Sequence, residues 1–348
     1  MENARHAGGR VAFENVRKLR QIHGQVDVIV CTTEPESVVP APQGVAVFRQ
    51  TAAQLAAYVL THARSLGLRR VVTAPVLHTR LHLRAQREIE RLMREHQYES
   101  IFVDFTQCSL LAQRSAIASG CRASLTVCVH DIYAQRLLRS PRLLEVLLTG
   151  LVIRDEQALL GMAYRIQTLS NKDAQLASTL YALPEVVVKP FEAPDWCARV
   201  TRLPGHIDAN MLLFFANFER AENREAAQWF VRSVLPKIRS VRPGVRLTLA
   251  GTGSDLLAAE LDGPGVSGTG FVDDPSPYFS RCALAIAPLL RGAGVKFKVL
   301  EALAAHVPVV GTPVALEGVE PNPRLMSSQP DEIADAVLTG LTRFASTP

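Results

Sequence analysis

The chain alternates short apolar runs with longer stretches in which apolar residues recur at helical spacing, and this alternation constrains its fold more than any other feature. Four runs in the first half have the length and composition of buried strands, at residues 26–31, 70–73, 100–103 and 125–129. Helical periodicity is found at residues 51–65, 83–96 and 131–162, the last interrupted at Pro141. Such alternation predicts an α/β protein with parallel sheets.

The rhythm breaks once, where Pro184, Pro190, Pro194 and Pro204 lie close to Gly205. Such a segment is typical of a linker, and 348 residues are more than one hydrophobic core usually organises. We therefore predict two Rossmann-like domains, residues 1–190 and 191–348, that face a cleft. In the second domain we predict strands at residues 211–215, 245–250, 270–272, 283–288 and 307–311, and helices at residues 225–241 and 296–305.

Composition narrows the classes of partner and the compartment. Aromatic residues make up only 6% of the chain, too few to build stacking platforms for bases, so we predict no nucleic-acid partner. The six cysteines show no CxxC spacing and several lie in apolar runs, which is typical of a reducing compartment. We expect no signal peptide, because the first apolar stretch comes late and follows a polar segment, and the apolar runs are too short to cross a bilayer. We expect a cytoplasmic protein.

Much of the net charge of +5 comes from one arginine-rich stretch, residues 64–94. One interpretation is a basic face that makes peripheral contact with the inner, anionic surface of a membrane. The other is a solvated helix face, because glutamates are interspersed with the arginines.

In the second domain, residues able to bind an anion follow several predicted strands. Gly251 and Gly253 come directly after the strand at residues 245–250 and would let backbone amides approach a diphosphate closely. The same pattern is typical of a tight turn. Thr312 follows the strand at residues 307–311, where contact with phosphate or sugar and a structural role are equally compatible with the sequence.

A stronger pattern lies between the strand at residues 283–288 and the next helix. Gly292 and Gly294 form a glycine-rich loop, and the helix begins near Lys296, so its amides and dipole would face an anion held in the loop. Lys296 or Lys298 would add a positive charge. Glu301 lies three residues after Lys298 on the same helix face. Its carboxylate could accept both hydroxyls of a ribose, or simply form a surface pair with Lys298.

The first domain offers fewer candidates. His130 follows the strand at residues 125–129 and could donate to a sugar hydroxyl or stabilise developing charge, although a lone histidine is often structural. His78 and His82 have the spacing of metal ligands on a helix. We assign them to the basic face, because no third ligand is in view. We therefore predict no metal site.

Taken together, these residues resemble the retaining group 1, or GT4-like, glycosyltransferases of the GT-B fold. The resemblance covers most of the chain and is strongest at residues 212–318. It is carried by residues 250–253, by Gly270-Phe271-Val272, by the block from Gly292 to Ala304 and by residues 308–312. In the first domain, Val129-His130-Asp131 resembles the family's sugar-facing motif, and Gly8-Gly9 resembles its glycine loop after the first strand.

The resemblance implies a nucleotide-diphosphate sugar as donor and co-substrate, with no cofactor and no metal. It implies that Glu301 contacts the ribose, that Gly292 and Gly294 lie near the diphosphate, and that the backbone of Phe271 and Val272 lies near the base. His130 and the loop of Gly8 and Gly9 would lie near the sugar or diphosphate. It also implies a last helix that could pack back on the N-terminal domain.

Three departures from the family pattern qualify this interpretation. The chain begins almost at Gly8 and Gly9, so we expect either that its start is truncated or misassigned, or that the N-terminal sheet lacks its first strand. Arg291 stands where the family has a glutamate, and would act as a phosphate cation instead. His306 occupies a helix end at which glycine is favoured because of a positive φ.

The resemblance implies a glycosyltransferase of the hexosyltransferase type, which transfers a sugar from a nucleotide-diphosphate donor with retention and without a metal. The expected acceptor is a glycan or a lipid-linked molecule in cell-surface polysaccharide or glycoconjugate synthesis. The alternative is a degenerate protein of the same fold that binds nucleotide or a partner without turnover.

Overall fold

The computed structural model describes residues 7–32, 45–66, 75–183, 185–189, 191–319 and 328–345. The chain forms two compact units, Met1–Pro190 and Phe191–Pro348. Each has its own core, because the buried apolar residues of the two units belong to separate clusters. Within the described residues, no helix is both long and apolar enough to span a membrane.

The first unit contains two parallel sheets. Strands β1 (Val28–Thr32) and β2 (Val45–Arg49) pair with each other. The larger sheet has the order β3 (Ser100–Asp104), β4 (Ser124–Val129), β5 (Arg165–Thr168) and β6 (Val186–Val188). The helices of this unit are α1 (Ala7–His23), α2 (Ala52–Leu66), α3 (Leu83–Glu95), α4 (Thr106–Ser119), α5 (Tyr133–Leu138), α6 (Leu143–Leu147), α7 (Thr149–Leu160) and α8 (Asn171–Tyr181). A 3₁₀ turn lies at Pro75–His78.

The second unit is a five-stranded parallel sheet with the order β11-β10-β7-β8-β9. The strands are β7 (Asp208–Phe215), β8 (Arg246–Ala250), β9 (Val266–Gly268), β10 (Cys282–Ala287) and β11 (Val309–Gly311). The helices are α9 (Asp195–Ala198), α10 (Ala221–Trp229), α11 (Leu235–Val241), α12 (Ser254–Leu261), α13 (Ser276–Arg281), α14 (Phe297–Ala304) and α15 (Pro330–Ala345). Every residue of β10 is buried, as expected for a strand covered on both faces.

The predicted α/β class, with parallel sheets in two separate domains, is confirmed. One predicted strand is wrong: residues 270–272 form a loop, and the strand of this region is β9, two residues earlier. Short strands without a long apolar run, namely β2, β5 and β6, are not apparent from the sequence. The strand predicted at residues 70–73 lies outside the described residues.

The helix predicted at residues 225–241 is divided by a π turn at Phe230–Val234. Pro236 follows directly and lacks a backbone N–H, and its ring excludes the carbonyl four residues earlier, so the regular hydrogen-bond ladder cannot continue. The long helical region at residues 131–162 is likewise divided into α5, α6 and α7.

The expectation of a glycine loop near the start of the sequence needs correction. Gly8 and Gly9 lie in the first turn of α1, because no proline separates them from the helical residues that continue to His23. In the second unit, Ile333, Val337 and Leu341 of α15 belong to the core, and a Cβ at Gly340 would lie 2.9 Å from the side chain of Leu284.

Candidate functional site

The strand order of the second unit reverses between β10 and β7, which creates a crevice at their carboxyl ends. The register pairs Leu213 with Ala285, so the ends of these two strands lie side by side. Loops at residues 216–220, 251–253 and 288–296 follow β7, β8 and β10 at this edge. Open α/β sheets bind ligands at such a switch point.

At Gly251 the backbone lies so close to the neighbouring loop that a residue with a side chain would not fit. Its φ is +118°, and a Cβ at this position would lie 2.2 Å from the carbonyl oxygen of Ala216. The backbone N–H of Phe218 donates to the carbonyl of Thr252 at 2.8 Å, which joins the same two loops. Gly253, with φ of +75°, completes the turn before α12. The glycines are therefore required to hold the loop after β8 against the loop after β7.

The segment of Phe271 and Val272 lies beside this turn. Gly251 N–H donates to the carbonyl of Gly270 at 3.0 Å, and Ser254 Oγ accepts from the backbone N–H of Gly270 at 2.9 Å. Phe271 is 52% exposed, whereas Val272 packs against the core. The structure thus brings together two segments that the sequence pattern singled out separately.

The glycine-rich loop after β10 has the conformation that its sequence predicts. Gly292 has φ of +132° and Gly294 has φ of +68°. The ammonium of Lys296 donates to the carbonyls of Ala293 at 3.1 Å and Gly294 at 2.6 Å, so the lysine closes the loop on itself. Helix α14 begins directly after Lys296.

Lys298 connects three elements at the carboxyl end of β7. Its ammonium donates to Oδ1 of Asn223 in α10 at 2.5 Å and lies 5.2 Å from the ring centroid of Phe214 in β7. Asn223 in turn donates to the carbonyl of Asn217 at 2.6 Å. Burial, and then repulsion from Lys296 and Arg220, lower the pKa of Lys298 to about 7.

Glu301 is 2% exposed, so it is not half of a surface ion pair. Its negative charge acts on Lys298, whose pKa it raises slightly against the effects of burial and neighbouring cations. A carboxylate on the helix that follows a glycine-rich loop is an acceptor suited to ligand hydroxyls.

Arg291 forms a two-pronged ion pair with Glu225 of α10. Its Nε lies 2.6 Å from Oε2 and its Nη2 lies 2.5 Å from Oε1. Arg291 is one-third exposed and Arg220, after β7, is about half exposed. With Lys296 and Lys298 they bring four basic side chains to this edge of the sheet, where the acidic Glu222, Glu225 and Glu301 also lie. Sequence reasoning missed Glu225 and Asn223, because only the packing of α10 against the loop identifies them.

Thr312 does not present its side chain to this edge. It is fully buried, its hydroxyl donates to the carbonyl of Leu289, and the same oxygen accepts from the N–H of Ala315 at 3.3 Å. The predicted donor contact from Thr312 is therefore replaced by a structural role, in which the hydroxyl joins β11 to the loop after β10.

In the first unit, His130 belongs to a hydrogen-bonded network at the carboxyl ends of β3 and β4. Its Nε2 lies 3.0 Å from Oδ1 of Asp104, and the same oxygen accepts from Nδ2 of Asn15 at 2.8 Å. The ammonium of Lys189 donates to Oδ1 of Asn15. The ring of Phe105 stacks on that of His130, with centroids 4.0 Å apart.

Phe105 holds this position at a conformational cost. Its φ of +72° is in the left-handed region, which a bulky residue rarely adopts. Its backbone N–H donates to the carbonyl of Cys128 at 3.0 Å, which holds the turn after β3 against β4. Asp104 could have been found from the sequence, because it follows a predicted strand next to the strand that precedes His130.

Asp104, Cys128 and His130 place potential metal-ligand atoms within 4.8 Å of one another. A metal needs the thiolate form of cysteine, whereas burial and the neighbouring Asp104 raise the pKa of Cys128 to about 12. The Asp104 carboxylate is also occupied by His130 and Asn15. The trio as described is a hydrogen-bonded network rather than a formed metal site.

His78 and His82 are not part of a basic surface, contrary to the prediction. They are 2% and 3% exposed. His82 is the N-cap of α3, with Nδ1 accepting from the N–H of Ala85 at 3.3 Å. Burial, followed by the charge of Arg84, lowers the pKa of His82, which favours the neutral ring that this cap requires.

Several solved structures share this architecture. Sucrose-phosphate synthase from Thermosynechococcus elongatus has a TM-score of 0.66 at 14% identity, over 95% of this chain and 84% of its own. A glycosyltransferase from Rickettsia africae has a TM-score of 0.60 at 11% identity, over 95% and 84%. Anabaena HepE, solved with UDP and glucose, has a TM-score of 0.54 at 15% identity, over 87% and 79%. The chain has the GT-B fold.

The second unit is similar to a known family. Residues 209–343, which are less than half of the chain, match the model for glycosyl transferases group 1. These residues contain every strand of the second sheet except the first residue of β7.

An uncharacterized 44.6 kDa protein in the cps region of Klebsiella pneumoniae is 30% identical over 124 residues. The match covers 32% of this chain and 31% of the relative, so the chain spans about a third of the length of the curated relative it matches.

Proposed function

We propose that the protein transfers a sugar from a nucleotide-diphosphate donor to a glycan or lipid-linked acceptor, with retention of configuration. The observation that carries this proposal is the edge of the second sheet at which the positive-φ glycines Gly292 and Gly294 are followed directly by the helix that carries Lys298 and the buried Glu301. The group 1 match over the same unit supports it.

The chemistry required at this edge is stabilisation of a departing diphosphate. Arg220, Arg291 and Lys298 would place positive charge near it, and the first amides of α14 would add the partial charge of the helix N-terminus. These groups supply the stabilisation from the protein itself, so the proposal requires no metal ion or cofactor.

The remaining donor contacts follow from the same arrangement. Glu301 would accept the ribose hydroxyls, and the backbone around Phe271 and Val272 would contact the base. The tight turn at Gly251 and Gly253 would support the loop of Phe271 from behind, through the hydrogen bond to Gly270. In the first unit, His130 would contact the transferred sugar.

The acceptor is proposed to belong to cell-surface polysaccharide or glycoconjugate synthesis. Its support is the relative encoded in a capsule region of Klebsiella pneumoniae. The proposal places the reaction in the cytoplasm, in agreement with six cysteines that form no disulfide.

The proposal is tested by thermal unfolding in the presence of UDP, GDP, ADP or CDP compounds. A ligand that binds only the folded protein at about a hundredfold its Kd stabilises it by about 2.7 kcal/mol. We expect one nucleotide to raise the melting temperature of the parent and of Glu332→Ala, a control at an exposed site in α15, but not of Glu301→Ala. A cooperative transition that no nucleotide shifts would refute the donor site.

A second function, nucleotide binding without turnover, is favoured by one observation. The guanidinium of Arg291 is already engaged by Glu225, where a group free to contact the sugar is expected. Incubating the bound nucleotide sugar with candidate acceptors and following the anomeric configuration of products by NMR distinguishes the two. Retained product supports transfer, whereas unchanged donor in every mixture supports the binding protein.

A further inference from the structure

Four leucines in the first unit expose most of their side chains within ten residues of sequence. Leu138 at the end of α5 is 57% exposed, and Leu143, Leu144 and Leu147 in α6 are 72%, 67% and 71% exposed. Since Leu143 and Leu147 are four residues apart, they lie on one face of α6, with Leu144 beside them. We call these four residues the leucine patch. Other exposed large apolar residues of this unit, such as Ile22 and Leu60, are distant from it in sequence.

The fold gives the leucine patch no packing role. None of the residues of α6 is buried, and a helix of five residues is not stable by itself. Hydrogen bonds between side chains hold the segment instead: the Glu145 carboxylate accepts from Ser140 Oγ at 2.5 Å and from Arg142 Nη1 at 2.9 Å. The same two hydrogen bonds lower the pKa of Glu145. The polar side chains thus secure the segment while its leucines face outward.

Positive charge surrounds the leucine patch. Arg136 and Arg142 are exposed and Arg139 is partly buried, so the segment carries three arginines against the single Glu145. The other basic element, α3, is different. It contains four arginines and three glutamates, Arg91 is bonded to Glu88 and Glu95, and none of its residues is an exposed large apolar one. These features indicate that α3 is a solvated helix face.

We propose that the leucine patch docks this unit on an anionic lipid surface. The leucines enter the boundary between headgroups and acyl chains, and the three arginines contact lipid phosphates. This inference does not rest on the proposed transferase activity, and it replaces the arginines of residues 64–94 as the membrane contact.

A second copy of the chain fits the patch less well. Four leucine side chains, even fully exposed, offer less than the roughly 800 Å² per partner that a stable dimer buries. Two copies would also bring two sets of arginines together. A lipid surface instead provides negative charge matched to the arginines, and an apolar layer that needs no shape complementarity.

The test is flotation of the full-length chain with phosphatidylcholine vesicles, with and without phosphatidylglycerol. We expect binding to the anionic vesicles. Leu143→Ser/Leu144→Ser/Leu147→Ser should weaken it at least about tenfold, and Arg136→Gln/Arg139→Gln/Arg142→Gln should weaken it about fivefold for each arginine. Melting temperatures should match that of the parent for the leucine variant, because α6 buries no side chain.

Matched controls exist on the same chain. Leu60→Ser/Leu256→Ser changes two leucines that are 78% and 71% exposed outside the patch, and Arg84→Gln/Arg87→Gln/Arg91→Gln neutralises α3. Both controls should bind vesicles as the parent does. Absence of parent binding, or equal loss in the α3 variant, would overturn the proposal. So would a leucine variant that floats normally but changes the oligomeric state, since that outcome indicates a second copy.

Discussion

At the scale of single residues, backbone conformation and charge decide what the candidate donor site can do. Gly251 and Gly292 are needed for their positive φ values, and Gly251 also for the close approach of the Ala216 carbonyl. Lys298 is placed where its ammonium is poorly hydrated. Each of these properties leads to a measurement on one substitution.

Gly251→Ala should destabilise the protein by about 3 kcal/mol or more, because the added Cβ meets the carbonyl of Ala216 and the φ is positive. Denaturant unfolding measures this loss. Gly150→Ala is the matched control: its Cβ has no neighbour within 4 Å and it lies in α7, so it should stabilise by about 0.4–1 kcal/mol. Equal stabilities for the two variants would contradict the assigned turn.

Nucleotide binding should be accompanied by proton uptake at Lys298. With a pKa of about 7, this lysine is mostly neutral at pH 8 in the free protein, and a bound diphosphate would restore its charged form. Binding should therefore weaken as pH rises above 7. Calorimetric titration in buffers of different ionisation enthalpy should reveal the uptake in the parent and in Lys237→Met, but not in Lys298→Met. A buffer-independent heat in the parent would exclude this role.

Asp104 should fix the tautomer of His130. A carboxylate only accepts hydrogen bonds, so its contact with Nε2 requires the proton on that nitrogen and leaves Nδ1 as an acceptor. Nitrogen-15 NMR of the ring should show the Nε2–H tautomer in the parent. In Asp104→Asn, turnover should fall about tenfold to a hundredfold, the worth of one charge-assisted hydrogen bond. An unchanged tautomer and unchanged turnover in this variant would count against the positioning role.

At the scale of elements, short helices of the first unit depend on buried polar anchors. Glu156 of α7 is fully buried and accepts from the backbone N–H groups of Tyr133 at 3.0 Å and Ala134 at 3.1 Å, and from the hydroxyl of Tyr181. It thereby caps α5, the helix that leads into the leucine patch. Burial raises the pKa of Glu156 to about 7, and these three donors limit the rise.

This anchor predicts a particular pH dependence of stability. The folded pKa is above the unfolded value of 4.5, so the contribution of Glu156 is fully present below pH 4.5 and is lost as pH rises through about 7. Relative to Glu156→Gln, which does not titrate there, the parent should lose up to about 3 kcal/mol between pH 5 and 8. Urea unfolding of both proteins across this range measures the difference, and parallel curves would disprove it.

At the scale of the whole molecule, the chain is two units with separate cores. The core of the C-terminal unit gathers residues from β7, β8, β10, β11, α10, α14 and α15, and none from residues before 191. The match to the group 1 model lies within this unit, so the matched residues and the proposed donor site belong to one core.

A core substitution in this unit should act locally. Phe230 is fully buried in the π turn between α10 and α11, and Phe230→Ala should cost about 3–5 kcal/mol. Hydrogen exchange should show faster exchange in β7, β8 and β10, while amides of β3 and β4 keep their protection. Ala258→Ser, at a partly buried site on α12, serves as a mild control. Equal loss of protection in both units would contradict separate cores.

The sequence alone determined the fold class and the main loops of the donor site. Long apolar runs such as β4 and β10 are buried on both faces, and positive-φ glycines after a strand have few alternatives, so periodicity and glycine spacing were sufficient there. His306 likewise has the predicted positive φ, at +56°. The strand β6 was not recognised, because a run of three valines is too short to show a strand period, and neither was the start of α1 over Gly8 and Gly9.

Only the tertiary structure decided which side chains meet. The pairing of Arg291 with Glu225, the contact of Lys298 with Asn223 and the burial of Thr312 join residues that are distant in sequence. The network of Asp104, Asn15 and His130 is of the same kind. The spacing of apolar residues along the sequence shows which face of one helix or strand is buried. These contacts depend instead on how separate elements pack against one another, and that spacing does not encode it.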